Sequence, residues 1–520
     1  MAATSIEFAD AQWRVRLLQG IVAENAGRTS EAIDLYIEAV AKLDRMRAGL
    51  SQQEQRQAFI DNASIQELYR RLIALLSATG QKQKAWDYLE RGKARSFLEM
   101  LQGRRFRAGT IAEESRELRA IEGEIINLRA QLGETSGSGG ADTTRDIRRA
   151  ELRNAEARFA IARQRAALQG SRTGQELSLR PFRIEEVQAK LPPRTALIEY
   201  ALLDNRITAF VITRRRAVQA LWETDLERLR SQVAGARELL GHPDENDALR
   251  PLLASLSAAL IEPVLAQVPD DVETLLLVPA NFLNYVPFQA LPLEAGRDVI
   301  DRFAIAYLPS ASALEFLQPV NSARGRLFLG AIGNVSVDHA AALPGTLKEV
   351  QGIAQTRANP QVAVENKFTY NRVRRALTED RSVHLATHGI LNADAPLFNA
   401  LITSPAPGQP SRLSLYELTQ MKLGAQLVVL SACETGLGEL RSGDEITSLT
   451  RMFLQAGADT VVASLWNVSD RTTAQLMKSF YQRLNVGQSP AVALRSAALG
   501  VRKRFPHPYY WAPFVLTGAR

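Results

Sequence analysis

Gln426-Leu427-Val428-Val429-Leu430-Ser431-Ala432-Cys433-Glu434-Thr435-Gly436 is an apolar run that ends in a thiol and then a glycine. The run 426–431 reads as a strand, as do 326–331, 382–387 and 459–464. All four are short, apolar and separated by helical segments, the pattern of a parallel sheet buried on both faces. Ser414-Leu415-Tyr416-Glu417 and Ser442-Gly443-Asp444-Glu445 each fit a helix capping box. The last third of the chain is therefore expected to be α/β. In such open sheets, sites form where the carboxyl ends of strands open into loops. His388, in His384-Leu385-Ala386-Thr387-His388-Gly389, ends one strand, and Cys433 ends another.

An imidazole and a thiol so placed are the parts of a cysteine hydrolase. A thiol of ordinary pKa is only a few per cent ionised near neutrality, yet thiolate is the attacking form. A neighbouring imidazole can take that proton and return it to the leaving amine. The tetrahedral oxyanion then needs donors, and the backbone N–H groups of Gly389 and Cys433 are the candidates. Gly389 would let the chain turn after the histidine with no side chain in the way. The bland alternative is that Cys433 is packing, since free cysteine is among the most buried residue types. His384, inside its strand, reads as a core or supporting histidine, and His242, His339 and His507 lie beside turn residues with no constellation. No His/Cys/Asp/Glu cluster has metal spacing, so neither a metal nor a cofactor is expected.

Length and composition set the frame. A chain of 520 residues is too long for one core and implies two to four domains. Cys433 is the single cysteine, which excludes an intrachain disulfide and fits a reducing compartment. No apolar stretch approaches the roughly 20 residues needed to span a bilayer. The start, Met1-Ala2-Ala3-Thr4-Ser5-Ile6-Glu7, lacks the basic and apolar regions of a secretory signal, so a cytoplasmic location is expected. The net charge of +7 comes mainly from arginine, in clusters at 104–107, 214–216 and 502–504. These are scattered among acids and read as solvated surface, so nucleic acid is not an expected partner.

Upstream of the α/β third, residues 10–102 read as paired helices. Ala32, Tyr36 and Ala39 share one helical face after a turn at Gly27, and Ala85, Leu89 and Gly92 share the matching face after Gly80. This resembles the tetratricopeptide repeat (TPR) with degenerate spacing. Two units leave an open apolar end, so the array either docks on the rest of the protein or is a remnant. Residues 111–168 read as two charged helices around a Gly/Ser tip at 135–140, an antiparallel hairpin. Paired strands at 196–201 and 207–212, helices at 225–240 and 247–266, and strands at 274–278 and 304–308 follow. Asn281-Phe282-Leu283-Asn284-Tyr285-Val286-Pro287-Phe288-Gln289-Ala290-Leu291 is an unusual loop.

His384–Gly389 and Leu430–Gly436, with Gly443-Asp444-Glu445-Ile446, Ala463–Asp470 and His507–Phe514, resemble the CHAT domain, a caspase-like peptidase domain commonly found behind TPRs in bacteria. The loop 281–291, the stretch 308–312 and Glu90-Arg91-Gly92-Lys93-Ala94-Arg95-Ser96 are also similar to that family. The resemblance covers roughly 190–520. It implies a His388/Cys433 dyad and, through the more distant separases, an inactive protease-like half at 176–322 packed against a catalytic half at 323–520. The expected organisation is then TPR-like repeats at 1–105, a helical hairpin at 106–175 and a two-part α/β caspase-like region.

Asp470 resembles the position where separases keep an acid in the S1 pocket, which would favour Arg or Lys before the scissile bond. Alternatively, Ser469 or Asp470 simply caps the following helix. Trp466 either lines that pocket or fills core, and Asp444 reads as a first-turn helix acid. The expected function is a cysteine endopeptidase of the caspase-like clan that cleaves a partner protein, with a protein activator received by the TPR-like helices. A role in bacterial defence or cell death fits that family. The alternative is a catalytically silent TPR-CHAT interaction scaffold.

Overall fold

A computed structural model describes residues 2–48, 63–93, scattered positions within 121–158, and 181–243, 246–320, 325–337, 340–390, 399–431, 445–466 and 469–519. The Gly/Ser stretch 135–140, the arginines at 104–107, His339 and residues 432–444, which include Cys433 and Asp444, lie outside the described residues.

The N-terminal region is all helical: α1 (Ala2–Asn25), α2 (Thr29–Ala48), α3 (Ala63–Ala78) and α4 (82–93). Two turns join them pairwise, with Gly27 and Gly80 in the left-handed region at φ +74° and +73°. Ala32, Tyr36, Ala39 and Ala85 are fully buried at the helix contacts. Gly20 is needed there, because a Cβ on it would lie 2.3 Å from the Tyr36 ring. Between this array and residue 181 the described positions are helical, and Arg158 pairs with Glu124 across the two segments.

The rest is α/β. Eleven strands form one sheet in the order β3-β2-β1-β4-β5-β14-β13-β12-β8-β6-β7. They are β1 (Thr195–Leu202), β2 (Arg206–Ile212), β3 (Ala217–Glu223), β4 (Thr274–Val278), β5 (Ala304–Tyr307), β6 (Leu327–Ala331), β7 (Gln361–Val364), β8 (Ser382–Ala386), β12 (Leu427–Leu430), β13 (Thr460–Ser464) and β14 (Phe514–Gly518). Three short strands, β9 (Gly389–Ile390), β10 (Ala400–Ile402) and β11 (Arg412–Ser414), make a separate small sheet. Central strands such as β4, β8 and β13 are buried at every position, which is why they read as continuous apolar runs. Within the eleven-stranded sheet pairing is parallel except for β1–β2, β2–β3 and β13–β14, and the small sheet is antiparallel.

Helices α5 (Ile184–Lys190), α6 (Leu226–Gly241) and α7 (Asn246–Leu260) accompany the first five strands. Around the other six lie α8 (Gly345–Ala354), α9 (Tyr370–Glu379), α10 (Leu415–Gln420), α11 (Glu445–Ala456) and α12 (Asp470–Asn485), while α13 (Pro490–Arg502) lies against both β5 and β14. The chain passes from β6 outward to β7 and then returns to the other side of β6 to lay down β8, β12 and β13. The boundary between β6 and β8 is thus a topological switch point, where connections leave in opposite directions and a crevice opens at the carboxyl ends. In agreement, α8 packs on α12 while α10 packs on α11.

The N-terminal helices do not float free. Lys82 Nζ donates to the Ala217 carbonyl at 2.6 Å and Gln219 Nε2 donates to Ser77 Oγ at 2.8 Å, so they cover the edge strand β3. Trp86 Nε1 donates to the Phe182 carbonyl at 2.7 Å. At the end of α4, the fully buried Glu90 accepts from the backbone N–H groups of Ala311 (3.0 Å) and Ser312 (2.8 Å) and from the Ser312 hydroxyl. Lys93 Nζ reaches the carbonyls of Tyr200 (2.5 Å), Pro279 (3.3 Å) and Val278 (3.4 Å), beside the buried Glu199 carboxyl at 3.5 Å. Burial pushes Glu199 well above the usual carboxylate range and pulls Lys93 down. Docking on the sheet is how these two helix pairs close their open apolar end.

The arginine cluster at 214–216 is solvent-exposed, as its sequence implies. Arg214, Arg215 and Arg216 form the exposed turn of the β2–β3 hairpin, with Thr213 N–H bonded to the Arg216 carbonyl. The stretch 281–291 is two short 3₁₀ turns, Asn281–Tyr285 and Phe288–Ala290, largely buried. Its Gln289 Nε2 donates to the Ala512 carbonyl at 2.6 Å, which ties it to the C-terminal motif. No described helix is long and apolar enough to cross a membrane.

Candidate active site

His388 follows the bend that ends β8. Thr387 Oγ1 donates to the Ile402 carbonyl at 2.7 Å, and Ile402 N–H donates to the His388 carbonyl at 3.0 Å, so β10 pins this strand end. The imidazole is buried at 6% exposure. Its Nε2 lies 2.6 Å from the Ala341 carbonyl, on the connection that leaves β6. A carbonyl can only accept, so Nε2 carries the proton and Nδ1 is left as the basic nitrogen. Nδ1 has no hydrogen-bond partner among the described residues. That bond spans the crevice at the β6/β8 switch point.

β12 lies beside β8 in parallel register, with Leu430 opposite Leu385 and Ser431 N–H donating to the Leu385 carbonyl at 2.9 Å. The chain therefore leaves β12 at the same sheet edge, one strand away from His388. Cys433, two residues beyond Ser431, is itself outside the described residues. Gly389 opens β9 opposite Leu401 and is not among the glycines at positive φ. The bend is at Thr387, and the chain then continues extended, so no left-handed turn calls for glycine here.

Asp470 is exposed in the first turn of α12, and its carboxyl lies against Gly345, where a Cβ would come within 2.0 Å of Cγ. Ala341 and Gly345 are four residues apart, at most about 14 Å of chain, so one short segment touches both His388 and Asp470. Ser469 is the N-cap of α12, but its side chain makes no capping bond. Trp466, just past β13, is 5% exposed and donates Nε1–H to the Tyr509 carbonyl at 3.2 Å. His507 caps the short helix Pro508–Trp511 by accepting from Tyr509 N–H.

His384 is fully buried, between Glu349 of α8 and Tyr481 of α12. Sequence reasoning missed Glu349. Its signal is an acid on the apolar stripe of α8, which also carries Thr346, Val350 and Ile353. Burial raises the Tyr481 hydroxyl far above its ordinary value, and the Glu349 charge adds to this. Among the described residues no group of three or more His, Cys, Asp or Glu is placed to hold a metal.

The CHAT domain family model matches residues 250–519. The chain belongs to the CHAT domain family. The match begins inside α7, so the whole sheet from β4 onward falls within the CHAT domain and β1 to β3 precede it. Tetratricopeptide repeat protein 28 of mouse and of human are each 25% identical over 295 aligned residues, covering 47% of this CHAT chain. The chain spans 12% of the length of these curated relatives. Two structures of the Saccharomyces cerevisiae separase–securin complex align with 98% and 99% of the chain and 47% and 40% of theirs, at 9% and 11% identity and TM-scores of 0.43 and 0.47. The Arg-specific cysteine proteinase gingipain R aligns with 56% of the chain and 74% of its own at 12% identity, TM-score 0.33. These values are too low to equate individual residues.

Proposed function

We propose that this CHAT protein is a cysteine endopeptidase in which Cys433 is the nucleophile and His388 the general base and acid. The observation that carries the reading is the state of His388: buried, its Nε2–H engaged by Ala341, its Nδ1 unpaired, and the strand that leads to Cys433 alongside. Nδ1 takes the thiol proton and the thiolate attacks the scissile carbonyl carbon. The oxyanion is held by backbone N–H groups, with Gly389 and Cys433 as the candidates. Collapse breaks the C–N bond, and the proton on Nδ1 passes to the leaving amine. Water, deprotonated by the same nitrogen, then hydrolyses the thioester and frees the thiol.

Asp470, on the rim reached by the 341–345 segment, is the proposed S1 acid, which selects Arg or Lys before the cut. Trp466 serves as packing behind that wall, given its burial. The TPR-like helices, fixed to the sheet through Glu90 and Lys93, are the proposed seat of an activating protein. The organisation into repeats, hairpin, inactive half and catalytic half is part of the same proposal.

The test is co-expression of wild type, Cys433→Ala and His388→Ala with candidate partner proteins, with new termini mapped by mass spectrometry. Cuts after Arg or Lys that vanish in both variants are expected. Identical fragment patterns from all three proteins would overturn the proposal. A scaffold without turnover would give no fragments and no acyl-probe labelling of Cys433 above the denatured background.

A further inference from the structure

Beneath the crevice lies a buried polar group that the chemistry above does not use. Glu349 is 3% exposed. Its Oε1 lies 3.1 Å from Nε2 of His384, and its Oε2 accepts the hydroxyl of Ser431 at 3.0 Å. Nδ1 of His384 lies 3.3 Å from the Tyr481 hydroxyl, and that ring packs edge-on against the imidazole. The Tyr481 hydroxyl shares a hydrogen bond with Nδ1 and Ser431 donates to Oε2, while Nε2 and Oε1 face each other at contact distance without making a hydrogen bond. A carboxyl in such a place is costly, and apolar packing of the same volume would commonly stabilise a fold at least as well. What the carboxyl adds is direction, through a hydrogen bond from Ser431 after β12 and a polar contact with His384 of β8.

Those strands carry the proposed dyad. His384 precedes His388 by four residues, and Ser431 precedes Cys433 by two. Glu349 itself sits on the helix that follows the Ala341 segment, whose carbonyl holds His388 Nε2. We propose that Glu349 is a positioning residue: by contacting His384 and Ser431 at once, it fixes where the chain leaving β12 emerges relative to His388, on which the reactivity of Cys433 depends. This inference rests on the dyad proposed above.

Cys433 is the only cysteine, so alkylation of the intact chain by iodoacetamide reports that one sulfur with no substrate required. Rates are measured between about pH 5 and about pH 10. The wild-type inflection is expected well below the ordinary thiol value of about 8.5. Glu349→Ala and Ser431→Ala should move it up by about one unit and slow alkylation near neutrality about tenfold. Glu349→Gln keeps an acceptor for Ser431 and a polar group of the same shape against His384, so its inflection should stay close to wild type.

Circular dichroism and the thermal midpoint verify folding. Ser431→Ala removes only one hydroxyl and decides the matter if Glu349→Ala does not fold. Folded Glu349→Ala or Ser431→Ala protein with the wild-type inflection would overturn the positioning role. An unshifted inflection in His388→Ala would instead defeat the dyad itself, which separates the two failures.

Discussion

Glu90→Ala tests how the helical repeats are held to the sheet. In the wild type the buried carboxylate accepts two backbone N–H groups, from Ala311 and Ser312, and the Ser312 hydroxyl. Truncation leaves those donors with no partner and no water, at about 1–3 kcal/mol for each buried group. It also removes a negative charge that favours the protonated form of Lys93. A total of about 3–5 kcal/mol follows, as for breaking other buried charged contacts. The loss is local to the α4 joint, so it should appear as sub-global opening before global unfolding. Hydrogen exchange of amides in 82–93 is the assay. With about 1.4 kcal/mol per tenfold, exchange should quicken about a hundred-fold to about four-thousand-fold. Glu90→Gln, which keeps one carbonyl acceptor, should lie in between. Protection unchanged within about threefold would refute the view that this carboxylate anchors the repeats.

Glu199 offers a pH test, because its carboxyl is raised well above its ordinary range by burial and by Glu90, against the opposing pull of Lys93. The native state keeps a proton that the unfolded chain releases near about pH 4.3, so stability from this group is full below that value and falls as pH rises toward the native pKa. Glu199→Gln, fixed neutral, should therefore gain in thermal midpoint over wild type between about pH 5 and about pH 8, whereas a difference that shrinks across this window would contradict the assignment. Gly424→Ala places a Cβ 2.3 Å from the Thr378 carbonyl oxygen and should destabilise by about 1–3 kcal/mol. Gly500→Ala, on α13 with nothing within 4 Å, should stabilise by about 0.5–1 kcal/mol, and equal midpoints for these two variants would show the packing to be misread.

Much of the sheet was legible. The runs read as strands at 274–278 and 382–387 appear as Thr274–Val278 and Ser382–Ala386, because strands buried on both faces are apolar throughout. The capping box at Ser414 and Glu417 forms as its spacing implies. β3 and β7 were not legible. Both are edge strands with half-exposed, mixed residues, and nothing local distinguishes them from loop. β14 was hidden for another reason. Its sequence is strand-like, but its pairing antiparallel to β13 and parallel to β5 joins the two strand sets into one sheet, a long-range choice.

Around the crevice, His388 was found from its strand-end position. Its partner, the Ala341 carbonyl, is a backbone group that no residue type announces. Glu349 was missed because one acid within a helix carries no marker until His384 and Ser431 are seen to face it.

The proximity of His388 and Cys433 is tested most directly by a bifunctional reagent. 1,3-Dibromoacetone alkylates a thiolate first and then any nucleophile within a three-carbon reach. Peptide mapping should recover one cross-linked species that joins the peptides containing Cys433 and His388. It should be absent from His388→Ala and from denatured protein. Efficient single alkylation of Cys433 with no bridge to His388, or with a bridge to a different side chain, would contradict the account.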